Sequence, residues 1–380
     1  FRPLGQAQGI AGDGRPSRQV LFTDLDNDRD ADLIVINNAP PHEVYLNDRL
    51  WQYHSAAGFD EFRKTPIGAC LAADRDVDGD VELYTITQNG VQVWTGGESW
   101  TSAPIATDID VDLKSAWLAL TDLNGTGNHD LLVRARSGWI AMLDDQRSET
   151  VIANEQGVHN LVVAQFSVAD GPSLLGLRTG DAPIVVPPGS GRYPYLSMSF
   201  VGGDDTGQHM RSNASGIGVR GAVRAGSNWS TFSTLRSASG PGQSLQPVSV
   251  GMHGADRCDF VTINWPDGLL QSESDLQAGQ PHRIVETQRQ TSSCPVLFAW
   301  NGTEFQFVTD LLGVGGLGFN LGAGEYAAPR PWENVLLPAG LIQPRDGVYE
   351  LRVGEPMEET CYLDAARLVQ YDLPTGWQMT

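Results

Sequence analysis

Asp24-Leu-Asp-Asn-Asp-Arg-Asp-Ala-Asp32 places a carboxylate at every second position, directly ahead of the apolar run Leu33-Ile34-Val35-Ile36. Like charges this close repel, and gathering them is costly unless an opposite charge offsets them. A hard cation with oxygen ligands does so, and Ca²⁺ takes about six to eight oxygens. The pattern returns as Asp74-Arg-Asp-Val-Asp-Gly-Asp-Val-Glu82 before Leu83-Tyr84-Thr85-Ile86. A weaker copy, Asp122-Leu-Asn-Gly-Thr-Gly-Asn-His-Asp130, precedes Leu131-Leu132-Val133. The offsets are 74 − 24 = 50 and 122 − 74 = 48 residues. Repeats of this length belong to propellers and solenoids.

The segments around each loop supply the rest of the unit. Gln19–Phe22, Cys70–Ala73 and Trp117–Leu120 precede the three loops, and Glu43–Leu46, Val91–Trp94 and Trp139–Leu143 follow one strand later. Asn89-Gly90 and Ser137-Gly138 read as the hairpin turns of the second and third copies. The unit is therefore strand, acidic loop, strand, hairpin, strand, with room for a fourth, which is one propeller blade. A fourth copy is expected over Leu161–Leu175; its loop keeps only Asp170, so no metal is expected there. An EF-hand would need a Glu at loop position twelve, where Val35, Thr85 and Val133 stand, and flanking helices in place of strands. Asp108-Ile-Asp-Val-Asp112 alternates without a glycine turn and reads as the polar face of an edge strand.

Composition narrows the function classes. The 380 residues carry a formal charge of −21 and a pI of about 4.5, which argues against phosphate-backbone binding, since that needs basic patches. The same balance suits cation binding. The 43 glycines and 22 prolines point to short strands and turns. No apolar run reaches the length of a membrane helix. The sequence opens on Phe1 with no signal-like stretch, and the strand pattern is still open at Thr380, so the expectation is a processed chain or part of a longer one. Blades outside this stretch, or a partner chain, would then complete the propeller. Cys70, Cys258, Cys294 and Cys361 are widely spaced; one or two disulfides and buried free thiols are both compatible with that spacing.

The acidic loops resemble the FG-GAP (VCBS) repeats of integrin-like propellers, whose loops read Asp-x-Asp-x-Asp-Gly-x-x-Asp. The resemblance implies side-chain ligands at loop positions one, three, five and nine and a backbone carbonyl at seven. In the first loop these are Asp24, Asp26, Asp28 and Asp32 with the carbonyl of Asp30. In the second they are Asp74, Asp76, Asp78 and Glu82 with the carbonyl of Asp80. In the third they are Asp122, Asn124, Thr126 and Asp130 with the carbonyl of Asn128. The first loop departs from the pattern with Arg29 at the glycine position, and the second with the longer Glu82. The third has two neutral ligands and is expected to bind more weakly, because affinity follows ligand charge.

From about Tyr193 the period changes. Tyr195–Val201 alternates as a half-buried strand. Asn213-Ala-Ser-Gly-Ile-Gly218, Gln243–Pro247, Val250–Asp256 and Val261-Thr-Ile-Asn-Trp-Pro-Asp-Gly268 follow in order. These marks resemble the ASPIC/UnbV domain, and FG-GAP repeats followed by that domain occur together in cartilage acidic protein-like and bacterial exported proteins. Ile217 and Val219 are expected to face inward between glycine bends. The expected fold is all-β: propeller blades over 1–190, a β-sandwich-like ASPIC/UnbV domain over 191–290, and a β-rich extension over 291–380.

In that extension, Pro295–Val308 reads as a hairpin about Asn301-Gly302. Gly347–Val353, Thr360–Asp364 and Ala366–Tyr371 read as further strands. Gly313, Gly315 and Gly318 fit a GxGxxG pattern, but Gly322, Gly324, Pro329 and Pro331 follow where a nucleotide fold needs a helix. His253 and Asp256 lie close in sequence without a nucleophile, Ser244 lacks a Gly-x-Ser-x-Gly elbow, and neither suggests catalysis.

Two functions compete on this reading. One is a non-catalytic, calcium-stabilised binding or scaffold protein outside the cytoplasm, meeting a protein partner, a larger assembly or a glycan. Extracellular Ca²⁺ fills modest sites that cytosolic levels leave empty. The other is a polysaccharide-binding or polysaccharide-degrading protein that uses the propeller face. Against degradation stands the arrangement of the carboxylates, which cluster in metal-loop spacing rather than as two separated acids. Exposed Trp94, Trp100 or Trp139 on a propeller face would favour glycan binding; burial in the blade cores is the other reading.

Overall fold

A computed structural model describes residues 9–28, 30–47, 52–97, 99–107, 109–143, 148–187, 192–203, 212–240, 246–266, 268–287, 295–311, 320–322, 324–326, 332–337, 340–354 and 363–374. The chain divides into two compact units, Phe1–Thr287 and Gln288–Thr380. The first holds four sheets in sequence and then a two-sheet sandwich.

The first sheet is an antiparallel meander of β1 (Ser17–Thr23), β2 (Asp32–Asn37), β3 (Glu43–Asn47) and β4 (Tyr53–Ser55). A short helix, α1 (Asp60–Lys64), leads to the second sheet. That sheet repeats the order with β5 (Ile67–Ala73), β6 (Glu82–Thr87), β7 (Gly90–Thr95) and β8 (Thr101–Ala106). The third consists of β9 (Leu118–Thr121), β10 (Asp130–Ala135), β11 (Gly138–Met142) and β12 (Ser148–Ala153). The fourth has β13 (Val158–Ser167), β14 (Gly171–Arg178) and β15 (Ile184–Val186). Each of the first three acidic stretches joins a sheet's first strand to its second. In the fourth sheet only a tight turn stands there, and Asp170 lies in it.

The second strand of each of the first three sheets is nearly continuous in burial, since it is central and flanked on both faces; Leu33–Ile34, Leu83–Ile86 and Leu131–Val133 are all buried. Leu21, Ile34, Leu71, Leu83, Leu118 and Leu131 share one core that runs across the three sheets. Trp94 is fully buried there, edge-on to Phe62, and its indole N–H donates to Thr85 Oγ1 at 2.9 Å. Trp100 stacks on Phe59, and Trp139 packs against Trp117 between the third and fourth sheets. All three tryptophans singled out in the sequence are thus core residues.

The hairpin glycines answer to sterics. Gly90 has φ +97° and Gly138 φ +139°, and a Cβ on either would collide with the carbonyl of Ala106 or Ile152 on the neighbouring fourth strand. The residues between the paired strands are Gln88-Asn89 and Arg136-Ser137, so each glycine is the first strand residue. The segment Ile109–Asp112 is not the expected edge strand. Asp110 accepts from Arg136, and Asp112 closes a turn by accepting from the amide of Lys114 and the hydroxyl of Ser115. Asp108 and Arg29 lie outside the described residues.

The sandwich is built on β16 (Tyr195–Val201), β17 (Arg220–Ala225), β18 (Asn228–Ser233), β19 (Val248–Gly251), β20 (Phe260–Asn264), β21 (Leu270–Ser274) and β22 (Pro281–Val285). One sheet has the order β19-β16-β22, with β16 and β22 parallel; the other is β18-β17-β20-β21. Met198, Phe200 and Ile284 from the first meet Val223, Phe232 and Ile263 from the second in one core. β16 is buried on both faces rather than half-buried, because its outer face packs on the third and fourth sheets: Tyr195 O–H donates to the Asp122 carbonyl, and Ser197 O–H to Gln165 Oε1. Val219 is buried as expected, but Ile217 is exposed. The Asn213 side chain accepts from the Ile217 amide and donates to its carbonyl, so these residues form a turn and lose strand alternation. Gly268 N–H closes the Trp265 turn at 2.9 Å, and Asp267 is outside the described residues.

The second unit contains β23 (Val296–Trp300) and β24 (Phe305–Asp310), the expected hairpin, with Leu351–Gly354 on the other side of β23. Residues 363–374 form no strand, so the expected strand Ala366–Tyr371 is overturned: Leu368, Val369 and Tyr371 are exposed, and no described strand pairs with them. The GxGxxG glycines Gly313, Gly315 and Gly318, and Ser244, lie outside the described residues.

Candidate cation loops

The three acidic loops share one backbone design. The carboxylate at position nine reaches back to the amide at position two: Asp32 Oδ2 accepts from Leu25 at 2.6 Å, Glu82 Oε2 from Arg75 at 3.1 Å, and Asp130 Oδ2 from Leu123 at 2.7 Å. Position four is left-handed in all three, at Asn27 (φ +59°), Val77 (φ +64°) and Gly125 (φ +79°). Glycine takes this conformation without strain; a β-branched valine does not, and such strain collects at functional sites. Gly79 and Gly127 at position six are left-handed as well. Positions five and seven pair in the first two loops, where Asp28 Oδ1 accepts from Asp30 N–H and Asp78 Oδ1 from Asp80 N–H, both at 2.8 Å.

The carboxylates converge differently in each loop. Asp24, Asp26 and Asp32 bring one oxygen each within 4.8 Å of one another, and Asp74, Asp76 and Asp78 do the same. Asp28 stands outside the first group and Glu82 outside the second. In the second loop Asp74 Oδ1 is buried and accepts no hydrogen bond. Among the described residues no cationic side chain pairs with Asp74, Asp76 or Asp78. A buried anionic oxygen without a donor is expensive. A cation seated among these three carboxylates would satisfy it, so the residues present fit a hard, oxygen-seeking ion.

Burial dominates the electrostatics. Desolvation pushes Asp32 up to about 6, with the Leu25 and Asn47 amides opposing and Asp26 and Asp24 adding repulsion. It pushes Glu82 up to about 7, with the Asp76, Asp74 and Asp78 charges adding to it. Asp26 and Asp74 are raised for the same leading reason.

The third loop follows the same turn, as Asp74 likewise takes the Val77 and Gly79 amides, but it adds a donor from outside the loop. Asp122 Oδ1 accepts from the amides of Asn124 (3.2 Å) and Gly125 (2.7 Å), and Oδ2 from those of Gly127 (2.7 Å) and Gly251 (3.0 Å). Asn124 Oδ1 takes the Thr126 amide and hydroxyl. Of the expected ligand set of Asp122, Asn124, Thr126, Asp130 and the Asn128 carbonyl, Asp122, Asn124 and Asp130 hold backbone donors, as the carboxylates of the first two loops do, and Asp122 also takes an amide from a distant strand, that of Gly251. Neighbouring loops are tied together as well: Asn27 Nδ2 donates to Asp80 Oδ1 at 2.6 Å, and Arg75 Nε to the His129 carbonyl at 2.7 Å.

Cys70 and Cys258 are buried free thiols whose burial raises their pKa, Cys258 to about 11; Cys294 and Cys361 lie outside the described residues. His253 is left-handed and 3.4 Å from Ser230 Oγ at the junction with the third loop.

Residues 208–291 match the family described as ASPIC and UnbV. No curated protein matches the chain. Three solved structures share distant likeness. A lectin of Agrocybe aegerita, described for recognition of non-reducing terminal N-acetylglucosamine, is 15% identical with a TM-score of 0.36, over 90% of this chain and 87% of its own. The V. cholerae biofilm matrix protein Bap1 is 14% identical with a TM-score of 0.27, over 69% and 59%. A streptogramin B lyase is 13% identical with a TM-score of 0.26, over 72% and 88%.

Proposed function

We propose that this chain is a non-catalytic, calcium-stabilised binding and scaffold protein working outside the cytoplasm, in which FG-GAP/VCBS-type blades carry an ASPIC/UnbV domain. The observation that carries the reading is the second loop. Three carboxylates converge there, one buried oxygen lacks a donor, and no described cation offsets the charge. In the first two loops an ion would tie a sheet's first strand to its second and relieve the repulsion that burial has built in. Modest sites of this kind fill at extracellular calcium levels, which supports the extracytoplasmic placing. The partner is a protein or a glycan, met on the exposed surfaces of a scaffold that calcium stiffens.

The test is a thermal melt in EGTA, with Ca²⁺ then restored. Calcium at about 100 times its dissociation constant stabilises the folded state by roughly 2.7 kcal/mol per site. A reversible fall in melting temperature with EGTA is expected, along with bound calcium by mass spectrometry. An unchanged melt with no bound metal would overturn the reading.

A further inference from the structure

We infer that the ASPIC/UnbV sandwich decides which of the three acidic loops is open to a cation: it competes for the first, leaves the second open and closes the third. The inference rests on the calcium reading above and adds the agent that grades the sites.

All three loops touch the sandwich, each through a different kind of group. At the first loop Arg220 Nη2 lies 2.6 Å from Asp24 Oδ2. Asp24 is almost fully buried and Arg220 about one-third exposed, so the guanidinium enters the carboxylate group from the solvent side. Arg220 opens β17, paired on one side with Ser233 and on the other with Asn264, which fixes the root of the side chain. A positive charge from the sandwich therefore already occupies part of a loop built to gather one, and an incoming ion must displace it or share Asp24 with it.

At the second loop the contact avoids the carboxylates. Thr231 Oγ1 donates to the Asp74 backbone carbonyl at 2.7 Å. The sandwich holds the loop there without supplying charge, and Asp74, Asp76 and Asp78 remain grouped.

At the third loop the sandwich completes the coordination of the leading carboxylate. Gly251 N–H gives Asp122 its fourth backbone donor. Tyr193 N–H donates to the Asn124 carbonyl and His253 N–H to the Gly125 carbonyl. The approach is so close that a Cβ on Gly127 would strike Ser230 and His253, and one on Gly251 would strike Asp122 itself. The glycines of the third copy admit the sandwich, neutral Asn124 and Thr126 stand where the other loops carry acids, and the Gly251 amide adds to Asp122 a backbone donor from the sandwich.

Calcium titration calorimetry with equilibrium dialysis on the full chain separates the outcomes. The wild type is expected to show one tighter site, lost in Asp76→Asn, and one weaker site, lost in Asp24→Asn. Arg220→Gln is expected to tighten the weaker site by about tenfold or more, because an internal competitor is removed. Arg220→Lys, which keeps a cation, is expected to stay near wild type. Asn124→Ala is expected to leave the ion count unchanged. An Arg220→Gln protein with the weaker site unchanged or weakened would overturn the inference, as would loss of an ion in Asn124→Ala; both leave the calcium reading standing if Asp76→Asn still loses its site. Should Arg220→Gln not fold, the order of affinities decides: a tighter site lost in Asp24→Asn rather than in Asp76→Asn would overturn the inference. A wild type that binds no calcium by either measurement would overturn both readings together.

Discussion

Asp122→Ala is expected to lower the stability of the Phe1–Thr287 unit by about 3–5 kcal/mol, because several buried amides lose a shared charged acceptor. Four amides from Asn124, Gly125, Gly127 and Gly251 lose their acceptor at once, in a place where the side chain is almost fully buried. Each buried donor left unsatisfied costs about 1–3 kcal/mol, offset in part by no longer burying the carboxylate. The loss also reaches across the junction, since Gly251 belongs to the sandwich. Urea unfolding should therefore show a lower midpoint. If the sandwich then unfolds separately from the four sheets, the transition will split, and a single slope will no longer describe it. An unfolding free energy within about 0.5 kcal/mol of wild type, the ordinary range for a surface change, would show that Asp122 does not hold the junction.

In EGTA, raising the pH from about 5 to about 8 is expected to destabilise the protein, and calcium is expected to reverse the part of that loss that arises in the first two loops, while Asp122, also raised to about 6 by burial, keeps its share. Asp32 and Glu82 titrate in the folded chain at about 6 and about 7, above ordinary values of 3.8 and 4.5. A raised carboxylate favours folding while protonated. Its contribution is therefore complete below the unfolded value and disappears as the pH passes the folded one. The loss across this window is on the order of 2–3 kcal/mol for Glu82 and smaller for Asp32, part of whose contribution is already gone at pH 5. An ion seated among the ionised carboxylates removes that penalty, so the gain in melting temperature from calcium should grow from pH 5 to pH 8. A gain that is flat with pH, or largest in acid, would show that these carboxylates do not face the ion.

Much of this was legible in the sequence, for local reasons. Alternating carboxylates, apolar triplets and hairpin glycines all act within about ten residues. The strand-loop-strand unit and its roughly fifty-residue spacing could therefore be read directly. The left-handed fourth position could not, because only Gly125 advertises it; Asn27 permits it, and Val77 suggests a strand instead. The fate of the third loop was hidden for a different reason. Its deciding donor, Gly251, lies 129 residues away, and the Thr231 contact to the second loop spans 157. No periodicity reports a pairing at that distance. At Ile217 and in the run 109–112 alternation does not end in strand pairing, because Asn213 and Asp112 make competing side-chain bonds to the backbone.

The three attachments of the sandwich also have a mechanical side. Arg220, Thr231 and Gly251 grip three different sheets at corresponding loops, and the Asn27–Asp80 and Arg75–His129 ties join those loops sideways. A force pulling on the sandwich is therefore divided among three anchor points that must yield together. It is not concentrated on one edge strand that could peel away bond by bond. On the scaffold reading proposed above, a set of individually modest contacts thereby acts as one joint.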